Sequence, residues 1–255
     1  MTVPRPPVTI GVSLKMYFGF EQTIRWCEAV RDLSQAHPAV TSGSVELFVI
    51  PSFPVLSRAF ELLAGTKVGL GAQNLHWEDS GPFTGEVSGT MLAEMGCRYV
   101  EIGHAERRRL FGETDDVVAA KTAAALRNDL VPVICVGEPE PGPKAETLRF
   151  CMDQIGSALS RSRGTNRVIV AYEPVWAIGA PRPAPPDHIR AICAGLVGAL
   201  ESRPDLIATV IYGGAAGSGL LSVSKGCLHG LFLGRSSHEP AGLAAVLDEA
   251  LLLDP

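Results

Sequence analysis

Three titratable side chains of different kinds follow apolar runs in this chain. Lys15 comes two residues after Val8-Ser13, His104 two after Tyr99-Ile102, and Glu173 directly after Val168-Tyr172. An ammonium, an imidazole and a carboxylate are groups that exchange protons, and two Gly-rich turns, Gly213-Gly214 and Gly234-Arg235, follow other apolar runs and suit a phosphate. Taken singly, each has a plain reading. Lys15 alone is a solvated lysine, His104 a hydrogen-bonded rim histidine, Glu173 a loop cap and Gly213-Gly214 a tight turn. Their joint placement at the ends of apolar runs carries the functional reading.

Those ends must belong to strands. Eight short apolar runs recur: Val8-Ser13, Val45-Ile50, Val68-Gln73, Tyr99-Ile102, Val131-Val136, Val168-Tyr172, Thr209-Tyr212 and Leu231-Leu233. Most lack polar alternation, as parallel strands covered on both faces do. Helical stretches lie between them. Glu21-Ala36 places Ile24, Cys27, Val30 and Leu33 on one stripe, and Asp115-Asn128 opens on Thr114 as a cap with two acids in its first turn. Pro54-Leu63, Val87-Met95, Lys144-Arg161, Asp187-Arg203 and Pro240-Leu252 continue the alternation, with a short helix near Leu220-Lys225. The pattern predicts an α/β fold, one (β/α)8 barrel over residues 1–255, with function at the carboxyl ends of its strands. A doubly wound open sheet competes, but no G-x-G-x-x-G follows the first strand.

The segment from Val168 to Ala184 combines a buried strand, Glu173 locked by Pro174, and an apolar stretch ending in Ala180-Pro181-Arg182-Pro183. It reads as a stiff lid beside a carboxylate. The net charge of −5 gives no reason to expect nucleic acid or an anionic membrane as partner. Six scattered cysteines, with no C-x-x-C pair and no zinc-ligand spacing, read as reduced thiols of a cytoplasmic protein and offer no metal site. Met1 to Pro7 lacks the apolar core of a signal peptide, so neither export nor a membrane span is expected.

Several ordered motifs carry a resemblance: Lys15-Met16, Ala72-Gln73-Asn74, Phe83-Thr84-Gly85-Glu86, Ile102-Gly103-His104, Glu106-Arg107-Arg108, Cys135-Val136-Gly137-Glu138, Ala171 to Gly179 and Tyr212-Gly213-Gly214. With them the chain resembles the triosephosphate isomerase family over nearly its whole length, and so implies a TIM barrel. The resemblance implies isomerisation through a cis-enediol, with Glu173 as base, His104 as the neutral hydrogen-bonding acid, and Lys15 stabilising developing charge. Glu106 would support Lys15. Backbone N–H groups of Gly179, Ala215, Gly234 and Arg235 would hold the phosphate, and no cofactor or metal is implied. Thr84 matches the residue that reaches into a partner's site, which implies a homodimer.

The chain departs from the family's usual residues at four places. Ser13 replaces Asn, Ala105 replaces Ser, Gly234-Arg235 replaces Gly-Gly, and Ala180-Pro181-Arg182 replaces Thr-Gly-Lys. Two of these shrink side chains near the reacting carbons, where a longer substrate needs room. Ser13, Gln73 to Trp77 and Gly230 to Ser236 resemble the erythrulose-phosphate isomerase branch, which interconverts L-erythrulose 1-phosphate and D-erythrulose 4-phosphate. A glycolytic triosephosphate isomerase is the alternative, and a non-catalytic sugar-phosphate- or partner-binding barrel is the third reading. The Arg235 side chain, on a loop, is expected to face water.

Overall fold

A computed structural model describes residues 6–224 and 226–253. Among them, eight parallel strands close into a barrel in sequence order: β1 Val8–Ser13, β2 Val45–Ile50, β3 Gly69–Ala72, β4 Tyr99–Ile102, β5 Val131–Val136, β6 Asn166–Tyr172, β7 Leu206–Tyr212 and β8 Gly230–Leu233. β8 closes on β1 with Thr9 opposite Gly230 and Val12 opposite Leu233. The helices are α1 Phe20–Ala36, α2 Pro38–Thr41, α3 Leu56–Leu63, α4 Gly89–Glu94, α5 Ala105–Phe111, α6 Asp115–Arg127, α7 Lys144–Ala158, α8 Pro186–Glu201, α9 Leu220–Ser224 and α10 Pro240–Leu252. The expected barrel is therefore the observed one, and the open sheet is excluded.

Strand alternation divides the core in two. Ile10, Val12, Leu47, Val49, Val100 and Ile102 point outward to the helices, where Cys27 and Val30 of α1 are buried and Ile24 and Leu33 pack half-buried. Phe48, Ile50, Tyr99, Val133, Ile169, Ala171, Ile211 and Phe232 fill the barrel itself. Phe48 stacks on Tyr99 at 4.4 Å between ring centroids and reaches Phe232 at 6.2 Å. Gly11 makes this plug fit, because a Cβ there would lie 2.3 Å from the Phe48 ring. Below the plug, Arg167 Nη2 bonds both Glu46 oxygens at 2.5 and 2.6 Å, and the Tyr99 hydroxyl donates to Glu46 Oε1 at 2.6 Å. These bonds tie the amino end of the barrel together across β2, β4 and β6.

Several boundaries differ from the sequence expectation. The helix expected at Val87 begins at Gly89, because the Val87 carbonyl accepts the His76 N–H at 2.8 Å and Ser88 caps the helix by accepting from the Met91 N–H. β3 ends at Ala72, and the Gln73 side chain donates to the backbone carbonyls of Lys15 and of Ile50 at the end of β2. β6 and β7 begin earlier, and α7 ends at Ala158. Thr114 caps α6 as expected, its hydroxyl accepting the Val117 N–H at 3.3 Å. The short helices α2 and α5 had no periodic signal. Met1 to Arg5, Lys225, Asp254 and Pro255, which the sequence reading also covered, lie outside the described residues.

Candidate active site

A cavity of about 550 Å³ opens at the carboxyl ends of the strands. Ser13, Lys15, Glu101, His104, Glu106 and Glu173 line its deep side. The segment after β6 and the turns after β7 and β8 line the other, through Gly179, Ala215, Gly234 and Arg235. Every residue expected at the site except Thr84 therefore faces one cavity. Thr84 is exposed in the loop after β3 and is not among the lining residues.

Lys15 has a left-handed backbone, with φ of 48°. For a residue with a Cβ that conformation costs energy and persists only where its surroundings hold it. Two donors do so here: Ser52 Oγ and Gln73 Nε2 each donate to the Lys15 carbonyl at 2.9 Å. The side chain then reaches Glu106, with Nζ 2.7 Å from Oε1. Burial alone pulls the Lys15 ammonium down. The Glu106 hydrogen bond and the negative field of Glu173, Glu106 and Glu101 outweigh it, so the group stands above the ordinary lysine range. Burial likewise pushes Glu106 up, but its bond to Lys15 dominates and holds it below the usual carboxylate value.

His104 sits at the N-cap of α5, a helix without a sequence signal of its own. The Glu106 N–H donates to its Nδ1 at 3.1 Å, so Nδ1 is an acceptor and the ring proton belongs on Nε2. Nε2 faces two carboxylates. It is 3.4 Å from Glu173 Oε2 and 4.0 Å from Glu101 Oε1.

Glu173 is only 6% exposed, and its Oε2 is buried without a hydrogen-bond partner. An ionised oxygen left so is costly unless a ligand or catalytic step uses it. Its backbone is pinned by the Glu173 N–H donating to the Val136 carbonyl at 2.8 Å. Gly213 gives the side chain its room, because a Cβ there would lie 2.3 Å from Oε1.

Residues 174–184 bridge the cavity mouth and are tied at both ends. A 3-10 turn, Val175–Ala177, presents the Trp176 Nε1–H to Glu138 Oε1 at 2.9 Å, and Glu138 also accepts the Tyr172 hydroxyl. At the far end the Ala184 N–H donates to the Tyr212 hydroxyl oxygen at 3.0 Å. Between them Gly179 turns left-handed, φ 72°. Ala215 is also left-handed, at 54°.

Arg235 is exposed, as expected, and makes one bond beyond that expectation: Nη2 donates to the Gly179 carbonyl at 2.8 Å. The left-handed turn at Gly179 brings that carbonyl to the loop after β8, and a charged donor makes a stronger bond than a neutral one. The cavity rim is thereby fastened to the bridging segment.

Glu101 was not singled out in the sequence. It is 4% exposed and lines the cavity on β4, two residues after Tyr99 and so on the same inward face. Ser13 Oγ donates to its Oε2 at 2.8 Å. Burial raises the Glu101 carboxyl above its usual value and Glu173 adds to this, while His104, Ser13 and Lys15 oppose it. The available signal was a lone charge inside the four-residue apolar strand Tyr99–Ile102.

The six cysteines are unpaired; five are buried, and burial pushes Cys27, Cys97 and Cys151 up to about 12. Among the described residues no helix is long and apolar enough to cross a membrane.

A closed parallel barrel with proton-exchanging side chains around a cavity at its carboxyl end defines a (β/α)8-barrel enzyme. The family model described as triosephosphate isomerase matches residues 8–250, and the chain belongs to that family of isomerases. It is 50% identical over 250 residues to the L-erythrulose-1-phosphate isomerase of Pectobacterium atrosepticum, with 96% of each chain covered. It is 37% identical to the L-erythrulose-1-phosphate isomerase of Rhizobium rhizogenes, covering 95% of this chain and 94% of that one. The triosephosphate isomerase of Symbiobacterium thermophilum is 39% identical over 213 residues, 80% of this chain and 83% of that protein.

Proposed function

We propose that this protein interconverts L-erythrulose 1-phosphate and D-erythrulose 4-phosphate by proton transfer through an enediolate. The observation that carries the chemistry is the unpartnered Glu173 Oε2, 3.4 Å from His104 Nε2 in a cavity shared with Lys15. The four-carbon substrate is supported by the names of the relatives at 50% and 37% identity.

Glu173 takes the proton from C3, and the C–H electron pair becomes the C2–C3 double bond. The carbonyl π pair moves onto the C2 oxygen, which the Nε2–H of His104 and the Lys15 ammonium stabilise. His104 then moves a proton between the two oxygens, and Glu173 returns its proton to C2. C2 is reduced and C3 oxidised, so no external oxidant or reductant is consumed. Backbone N–H groups of Gly179, Ala215, Gly234 and Arg235 hold the phosphate, and Ser13 and Glu106 support the reacting end. The enzyme acts in sugar-alcohol catabolism, such as that of erythritol, as a cytoplasmic homodimer in which Thr84 reaches the partner's site.

The test compares kcat/KM on L-erythrulose 1-phosphate and dihydroxyacetone phosphate. Faster turnover of the four-carbon ketose is expected. Faster turnover of the triose sinks the reading in favour of a glycolytic isomerase, and no turnover of either favours a non-catalytic barrel.

A further inference from the structure

Glu101 has no role in the chemistry above, yet it is a carboxylate inside the barrel. Its position follows from strand alternation: on β4, Tyr99 points into the aromatic plug and Glu101 is the next inward residue toward the open end. On β1 Ser13 takes the matching position, two residues above Gly11, and the two side chains are joined at 2.8 Å. The cavity is therefore floored by an aromatic layer that includes Phe232, with Ser13 and Glu101 above it and Glu173 and His104 beside them.

Such a carboxylate is expensive to bury, and its structural partners are few. One serine hydroxyl occupies Oε2, and the nearby ammonium of Lys15 is bonded to Glu106 instead. A purely structural role in the barrel is served at lower cost by an apolar side chain. A ligand hydroxyl offsets that cost, because it both donates to and accepts from a carboxyl group.

The substrate has a hydroxyl in the right place. A four-carbon ketose phosphate bound by its phosphate at the rim carries a terminal hydroxymethyl group on the carbon that Glu173 deprotonates. Glu173 and Glu101 approach the same His104 nitrogen, at 3.4 and 4.0 Å, so they flank one small volume. A carbon in reach of Glu173 places its hydroxymethyl neighbour beside Glu101.

Resting on the function proposed above, we propose that Glu101, held by Ser13, is the specificity residue that binds the terminal hydroxymethyl group of the four-carbon substrate. A three-carbon substrate lacks that hydroxyl and leaves the carboxyl without its partner. Sites built to bond a substrate hydroxyl reject analogues lacking it far more strongly than apolar pockets discriminate by size.

The experiment measures kcat/KM on L-erythrulose 1-phosphate and dihydroxyacetone phosphate for the wild type, Glu101→Val and Glu101→Gln, with circular dichroism confirming the fold. Glu101→Val is expected to lower the four-carbon value by about 100-fold or more while the three-carbon value changes by less than about threefold. Glu101→Gln, which still hydrogen-bonds, is expected to fall between, and it carries the test if the valine variant does not fold. Equal losses on both substrates, or none, overturn the assignment, since a side chain that only positions His104 serves both. Wild-type enzyme that turns over the triose alone defeats the functional reading instead. In that event titration of the wild type and Glu101→Val with erythritol 4-phosphate and glycerol 3-phosphate still decides the subsite: weakening confined to the four-carbon ligand supports it, and equal weakening overturns it.

Discussion

Glu173 Oε2 lies 3.4 Å from His104 Nε2 and makes no hydrogen bond to it. The two groups are adjacent without neutralising each other, which leaves the carboxylate free as an acceptor and Nε2–H free as a donor. Under the proposed function, shortening the carboxylate by one methylene withdraws it from the carbon it would deprotonate. Glu173→Asp is expected to lower kcat by at least about 100-fold with a much smaller change in KM, because misplacing the base harms the transition state more than binding. Steady-state kinetics on the preferred substrate check this, and unchanged kcat removes Glu173 as the base.

Arg235 fastens the bridging segment through the Gly179 carbonyl rather than through a side chain. Arg235→Ala removes that bond and leaves the deep side of the cavity intact. The expected result is a KM raised by about fivefold, in line with the loss of one exposed charge-assisted bond of about 1 kcal/mol, and a kcat within twofold. A fall in kcat with constant KM would place Arg235 in the chemical step.

Much of this site was legible because it lies where a strand stops. Lys15, His104 and Glu173 break apolar runs, and polar residues at such breaks in a parallel barrel collect at one rim. The reading failed where the signal was not periodic. α5 has no buried residue and so no apolar stripe, although its N-cap sets the His104 tautomer. Arg235 is exposed as a loop arginine is expected to be, but its bond to a backbone carbonyl 56 residues away is one that no local pattern encodes. Glu101 was hidden inside a strand too short for alternation to stand out.

Trp77 and Phe83 in the loop after β3, and Met16 and Tyr17 beside Lys15, are large apolar residues exposed to 36%, 38%, 90% and 56%. If Thr84 enters a partner's site, this surface is covered in the dimer. Light scattering after size exclusion is expected to give twice the chain mass, and Met16→Arg is expected to shift it toward the monomer with a loss of activity. A wild-type monomer with full activity would refute the homodimer.

Glu46 ties the amino end of the barrel together. Burial pushes its carboxyl up, but the bonds from Arg167 and Tyr99 outweigh burial and hold it below the usual carboxylate range. A depressed folded value means that its stabilisation is present above the unfolded value and is lost as pH falls through the folded one. Glu46→Gln is therefore expected to cost about 1–2 kcal/mol at pH 7, discounted for the partial exposure of the pair. The gap in Tm between wild type and variant should close as the pH is lowered below 4.5. A gap independent of pH would show that the charge of Glu46 contributes nothing.

Glu101 has the opposite sign. Its folded value is raised, chiefly by burial, so in the window above 4.5 the folded chain keeps a proton that the unfolded chain has released. Stability from this group therefore falls as pH rises through that window, and levels off above the folded value. Glu101→Gln removes the titration while keeping the shape and an acceptor for the Ser13 hydroxyl. The variant's Tm relative to wild type is expected to rise as the pH is raised above the unfolded carboxyl value and to level off above the folded one, even as its turnover of the four-carbon substrate declines. A stabilised but less active variant is the expected signature of a carboxyl retained for substrate rather than for the fold. A difference in Tm that stays flat with pH would mean that Glu101 titrates alike in both states, and that the barrel tolerates its charge without help from a ligand.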